Sequence, residues 1–231
     1  MPAYPDHGTL AKAHLLALLF FIVVAADVTL GGPLQSTDPK VTAWALEVTD
    51  EGSRAFARGV LAAPGHTEVA LVLLGMGVGF CLWLGVSRNA WFMLFPAVAG
   101  MLLIPALKLA FHRARPSTII DTGAFPSGHV LKAVFVTGLV FALSWDAFVR
   151  RKKGFVGVEP RPWWPRLLVG LWLFGALITI LGRVLGLVHW WTDTLGGALL
   201  GLVMLTGTLF LHATLPETAR EAETDELVTG R

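Results

Sequence analysis

Apolar residues run through this chain in long, nearly unbroken stretches, and six of these approach the roughly 20 residues that a helix needs to cross a bilayer. They cover residues 10–30, 69–86, 90–110, 130–149, 167–188 and 195–215. The pattern predicts an all-α, polytopic membrane protein with six transmembrane helices. The first run, with Lys12 ahead of it and Ala25 and Ala26 near its end, has some features of a signal peptide, but its length and the multi-pass body behind it favour a retained anchor.

Polar residues between the runs set the orientation. Ser87, Arg88 and Asn89 make a tight connection, whereas Arg150, Arg151, Lys152 and Lys153 follow the fourth run, with Arg161 and Arg166 beyond them. By the positive-inside rule this basic loop, residues 149–166, is cytoplasmic. Both termini are then cytoplasmic, and the connections after the first, third and fifth runs lie outside. In the external segment 31–68, Val41, Trp44, Ala45 and Val48 share one face of a helical stretch over residues 40–48. Such a stretch suits a short helix lying in the interface, either covering the helix tops or acting as a substrate lid. Residues 216–231 are polar and mostly acidic, so a disordered cytoplasmic tail is expected there, behind a single membrane-embedded domain over residues 1–215.

Composition narrows the class further. Hydrophobic residues make up 55% of the 231 and charged ones only 15%, which excludes an ordinary soluble domain. A net charge of +2 gives no support to nucleic-acid binding. The nine tryptophans suit interfacial belts, and the single cysteine, Cys81 inside an apolar run, excludes an intramolecular disulfide or a thiolate metal cluster.

The few polar residues at the ends of the apolar runs carry the candidate chemistry. Lys108, Arg113 and Arg115 break the positive-inside bias, and Arg183 sits where charge is costly. Each of them alone also fits a side chain snorkelling to the headgroups. If the third helix continues past Lys108, that residue and Arg115 share a face about 10 Å apart along the axis, and Pro116 turns Arg115 out of the helix. Pro126, Ser127, Gly128 and His129 read as the entrance of the fourth helix, with Ser127 as a cap and free amides for an anion, or as an ordinary turn bearing an interfacial histidine. His189 and Asp193, four residues apart, share a face if helical. The carboxylate would then take one imidazole proton and leave a basic lone pair on the other nitrogen, although a metal-ligand or purely structural histidine fits the same spacing. Arg183 reaches that face only if the chain breaks near Gly182 and Gly186. No second cluster of Asp, Glu and His suggests a metal site, Asp121 being the nearest spare acid, so no cofactor is expected.

Taken in order, K-x6-R-P, P-S-G-H and R-x5-H-x3-D over residues 108–193 resemble the signature of the type-2 phosphatidic acid phosphatase superfamily, integral-membrane lipid phosphatases related to vanadium haloperoxidases. The resemblance implies that His189 attacks phosphorus, that Asp193 orients it, and that His129 protonates the leaving group and then activates water. It assigns Lys108, Arg115, Ser127, Gly128 and Arg183 to binding the phosphate. The implied activity is metal-independent dephosphorylation, through a phosphohistidine, of a membrane lipid phosphate or pyrophosphate. Phosphatidate, phosphatidylglycerol phosphate and isoprenyl pyrophosphate represent that class. The site would face the extracytoplasmic side of a cell (inner) membrane. A lipid phosphotransferase of the same family and a non-enzymatic anion transporter are the alternatives. Two positions stand apart. Gly182 replaces the serine usual before the third-motif arginine, which removes a hydroxyl contact worth roughly 1.5–3 kcal/mol. Lys132, an extra cation one turn after His129, either selects a pyrophosphate or anionic headgroup or snorkels.

Overall fold

The computed structural model describes residues 5–116, 123–151 and 163–215. Asp121, most of the basic loop 149–166 and the tail 216–231 lie outside the described residues. Six long helices carry the apolar runs: α1 (His7–Leu30), α4 (Thr67–Trp83), α5 (Ser87–Phe111), α6 (Gly128–Arg151), α7 (Trp164–Leu185) and α8 (Trp191–Thr214). Five of them are long and apolar enough to cross a membrane, and α4 is a shorter apolar helix of 17 residues. Between α1 and α4 lie α2 (Asp38–Val48) and the short α3 (Glu51–Phe56), followed by a π-helical turn, Ala57–Leu61, and a 3-10 turn, Ala63–Gly65. The expected interfacial helix is therefore α2.

Helix α6 is the axis of the bundle. In its most apolar window 72% of residues are buried inside the protein, against 17% for α1, and it packs on α4, α5, α7 and α8. A helix surrounded by other helices need not be uniformly apolar, because its neighbours and not lipid satisfy it. The outer helices show the complementary pattern, with Leu15, Leu19, Ile22, Val72, Phe95, Leu102, Phe174 and Leu177 exposed as a lipid-facing shell. Small residues bring α8 against α6: a Cβ on Gly197 would sit 2.5 Å from the Ser127 carbonyl oxygen, and one on Gly201 2.9 Å from Cβ of Val134. Helix α1 packs along α8, where His14 Nδ1 lies 3.0 Å from the Val203 carbonyl.

Three helix boundaries differ from the sequence expectation, each for a local reason. Helix α5 stops at Phe111 because His112 adopts the left-handed conformation (φ 45°), so Arg115 is not on a helix face with Lys108. Helix α7 ends at Leu185 with Gly186 as its cap, and Leu187 (φ 56°) turns the chain, which is the break that Arg183 requires. Helix α8 starts at Trp191, so His189 lies in the connection ahead of it, not one turn below Asp193 on a shared helix.

At the end of the bundle remote from these breaks, a buried polar cluster ties three helices together. Asn89 Nδ2 donates to the Leu143 carbonyl (2.8 Å) and to Asp146 Oδ2 (3.0 Å), its Oδ1 lies 2.9 Å from His212 Nε2, and Arg150 Nε donates to Asp146 at 2.7 Å. Every member finds a partner, which is the condition for burying such groups.

Candidate active site

The breaks in α5 and α7 and the starts of α6 and α8 lie at one end of the bundle, and their side chains meet there. Helix α5 contributes Lys108 in its last turn, the connection after it Arg113 and Arg115, the first turn of α6 Gly128 and His129, the last turn of α7 Arg183, and the start of α8 Asp193. Lys108 is within electrostatic reach of Arg115, Arg183 and Asp193, and His129 within reach of Arg183, Lys132 and His189. All three sequence motifs thus converge.

His189 is 2% exposed, and its Nδ1 lies 3.3 Å from Asp193 Oδ2. The same carboxylate oxygen accepts the Trp190 N–H at 2.9 Å, and Oδ1 accepts from Arg113. An oxygen that only accepts fixes the proton on Nδ1 and leaves the lone pair on Nε2. Burial, with the cations of Arg183, Arg115 and Lys108 around it, holds the His189 imidazole well below the usual histidine range. The ring is neutral at physiological pH, the form that has a lone pair to share. Arg115 Nη1 stands 3.4 Å from that Nε2 and also donates to the Val188 carbonyl at 2.8 Å. A guanidinium therefore sits beside the basic nitrogen, where it can hold the oxygens of a bound anion.

The loops bearing these groups are knitted to each other. Trp190 Nε1 donates to the Ala114 carbonyl at 2.9 Å, and the Arg113 guanidinium lies 5.9 Å from the Trp190 ring centroid. Ser127 N–H donates to the Asp193 carbonyl at 3.0 Å, which docks the second motif onto α8. Helix α6 begins at Gly128, but the Ser127 hydroxyl does not cap it: this oxygen is buried without a hydrogen-bond partner among the described residues. Arg183 Nε is likewise buried and unpartnered. Two polar groups kept out of both water and protein hydrogen bonds call for a partner, and donors in this setting suit an oxyanion. Among the described residues, no group of three or more His, Cys, Asp or Glu side chains is placed to hold a metal ion.

Sequence reasoning missed Asp38 altogether and saw Arg113 only as an exception to charge bias. Arg113 bridges Asp38 and Asp193 with its two terminal nitrogens, and Asp38 also accepts from Thr192, at 2.6 Å from the hydroxyl and 3.2 Å from the backbone. Arg113 thus supports the carboxylate that supports His189. The sequence signal was slight: Asp38 followed by Pro39 marks a helix start, and nothing local says that it faces a residue 75 positions away.

Packing accounts for Gly182. A Cβ there would fall 2.7 Å from the Ala57 carbonyl oxygen and 2.7 Å from the Ala62 backbone nitrogen. Both obstacles are main chain, so serine is excluded while the turn Ala57–Leu61 rests on α7. Arg58 of this turn reaches the Gly186 carbonyl at 3.3 Å and Glu51 at 2.6 Å, tying the segment between α1 and α4 down over the end of α7. On the other side of the pocket, Lys132 is only 7% exposed and donates to the Thr67 hydroxyl at 2.6 Å, so it is not an interfacial snorkel.

Comparison with known proteins gives a consistent result. No curated protein matches the chain. The structure is similar to the crystal structure of a transmembrane PAP2-type phosphatidylglycerolphosphate phosphatase from Bacillus subtilis, with a TM-score of 0.75 and 21% sequence identity over 88% of this chain and 98% of that one. The family model of the PAP2 superfamily matches residues 89–216, more than half of the sequence and the stretch that contains all three motifs. The chain belongs to the PAP2 superfamily, and its fold is a transmembrane PAP2 fold.

Proposed function

We propose that this protein hydrolyses membrane lipid phosphates through a phosphohistidine on His189, at the extracytoplasmic face and without a metal ion. The observation that carries the proposal is the pairing of a buried, carboxylate-oriented imidazole with a guanidinium 3.4 Å from its basic nitrogen. His189 Nε2 forms a bond to phosphorus as the bond to the lipid oxygen breaks. His129 gives its proton to that departing oxygen. Water, deprotonated by His129, then attacks the phosphohistidine and releases inorganic phosphate, restoring both histidines. Lys108, Arg115 and Arg183, with Ser127 and the Gly128 amide, neutralise the charge spread over the phosphoryl oxygens, so that electrostatic stabilisation takes the place of a divalent ion.

Orientation follows from the basic residues. Arg88, Arg150, Arg151 and Arg166 gather at the end of the bundle opposite the pocket, and the positive-inside rule makes that end cytoplasmic. At the pocket end Arg113 is paired with Asp38 and Asp193, Arg58 with Glu51, and Arg115 is turned to the site. This clustering at one end also argues against an anion-transport path, which needs polar groups through the midplane.

The test is phosphate release by purified protein in detergent micelles, with a chelator present. Phosphatidate, phosphatidylglycerol phosphate and an isoprenyl diphosphate are each offered. Turnover of at least one of them is expected to survive chelation. Release from none of the three, with or without added divalent ion, overturns the reading.

A further inference from the structure

Lys132 is a buried ammonium for which the chemistry above has no use. Its Nζ donates to the Thr67 hydroxyl, and the neighbouring Glu68 carboxylate acts on it electrostatically, but among the described residues no carboxylate lies within ion-pair distance of it. An ammonium has three N–H donors and pays a desolvation cost when it is buried, which one neutral hydroxyl and a carboxylate held beyond contact distance offset only in part. At 7% exposure it is nine-tenths shielded from solvent. Such a group persists where an anion visits.

The position of that anion follows from the helix. Lys132 is three residues after His129 on α6, hence on the same face and about 4.5 Å further along the axis toward the membrane centre. The two side chains also share a corner. The His66 ring meets the His129 ring edge-on with centroids 5.4 Å apart, and the next residue, Thr67, holds the Lys132 ammonium. Attack by His189 from one side of phosphorus sends the leaving oxygen to the side of the acid, His129. A lipid anchored by its tail keeps its leaving group on the tail side, which is deeper in the bundle. Lys132 is therefore one helical turn beyond the proton donor, along the path of the leaving group.

We infer that Lys132, held by Thr67, is the binding site for a second phosphate, carried by the leaving group of the substrate. The inference rests on the phosphatase reading and narrows it: the substrate class is a lipid whose departing fragment is itself a phosphate anion. Two chemistries supply one. In a lipid diphosphate the leaving group is a lipid monophosphate, while in a lipid with a phosphodiester and a terminal phosphomonoester the second charge sits a few bonds further on. In the transition state the leaving oxygen gains charge beside an existing phosphate, and a fixed ammonium there lowers that repulsion.

The experiment compares kcat/KM for an isoprenyl diphosphate, phosphatidylglycerol phosphate and phosphatidate in wild type, Lys132→Met and Lys132→Arg. In Lys132→Met the preference for at least one of the two doubly phosphorylated lipids over phosphatidate is expected to fall tenfold or more, and in Lys132→Arg to recover. Which lipid loses its preference identifies the chemistry. A second measurement needs only the wild-type protein: methylenebisphosphonate is expected to inhibit at least tenfold more strongly than methylphosphonate. Unchanged preference in Lys132→Met, or equal inhibition by the two phosphonates, overturns the inference and leaves the phosphatase reading standing. Absence of turnover of all three lipids by wild type overturns both.

Discussion

Alanine at His189 is expected to reduce kcat for phosphate release by on the order of 10⁴-fold or more, with KM changed only a few-fold. The asymmetry follows from the division of labour in the pocket. Arg115, Arg183, Lys108 and Ser127 do not depend on the imidazole to hold phosphate, so ground-state binding survives. The covalent route does not, and water has no activated substitute for Nε2. Because the ring is buried and neutral, its loss leaves no unpaired charge, and the fold should tolerate the change better than it tolerates loss of Asp193. Glutamine at the same position is a control of similar bulk without a nucleophilic nitrogen. Steady-state kinetics in micelles checks the prediction, and a His189→Ala enzyme retaining a hundredth or more of wild-type kcat contradicts it.

Methionine at Arg113 is expected to cost about 3–5 kcal/mol of stability, together with most of the activity. Arg113 is the cation between Asp38 and Asp193, with side chains 10%, 3% and 0% exposed respectively. Removing it leaves two carboxylates in the interior with hydroxyl and amide donors but no countercharge. Asp193 would lose the partner that holds its carboxylate against the His189 imidazole, so instability and inactivity share one origin. Thermal unfolding in detergent checks the first half. The double variant Arg113→Met with Asp38→Asn should recover part of the loss, since one of the stranded charges is gone. A midpoint for Arg113→Met equal to that of wild type contradicts this description of the network.

The sequence made the bundle legible because its signal is simple: each apolar run had to be a helix, since lipid offers the backbone no partners. Ends were harder. Nothing in a run of Leu and Phe says that His112 will turn left-handed, or that α8 will start after His189 and not before it. The motif residues were legible by type and spacing, and the structure brings Lys108, Arg115, His129, Arg183, His189 and Asp193 to one end of the bundle. What spacing could not give was the support beneath them. Asp38 lies on a helix that the sequence offered as packing element or lid, and it proves to be an anchor for Arg113 and Thr192. Gly182 likewise read as a missing hydroxyl, and only the approach of the Ala57 and Ala62 main chain explains why a side chain has no room. Contacts made across more than 70 residues leave no local pattern, so these were the parts that required coordinates.

The central claim is that phosphorus passes through a bond to one particular imidazole. Mixing the enzyme with substrate labelled in its terminal phosphate, quenching within a turnover and mapping the label on the chain tests it most directly. Label is expected on His189 in wild type and none in His189→Ala. Turnover without any labelled protein, or label on a residue other than His189, contradicts it.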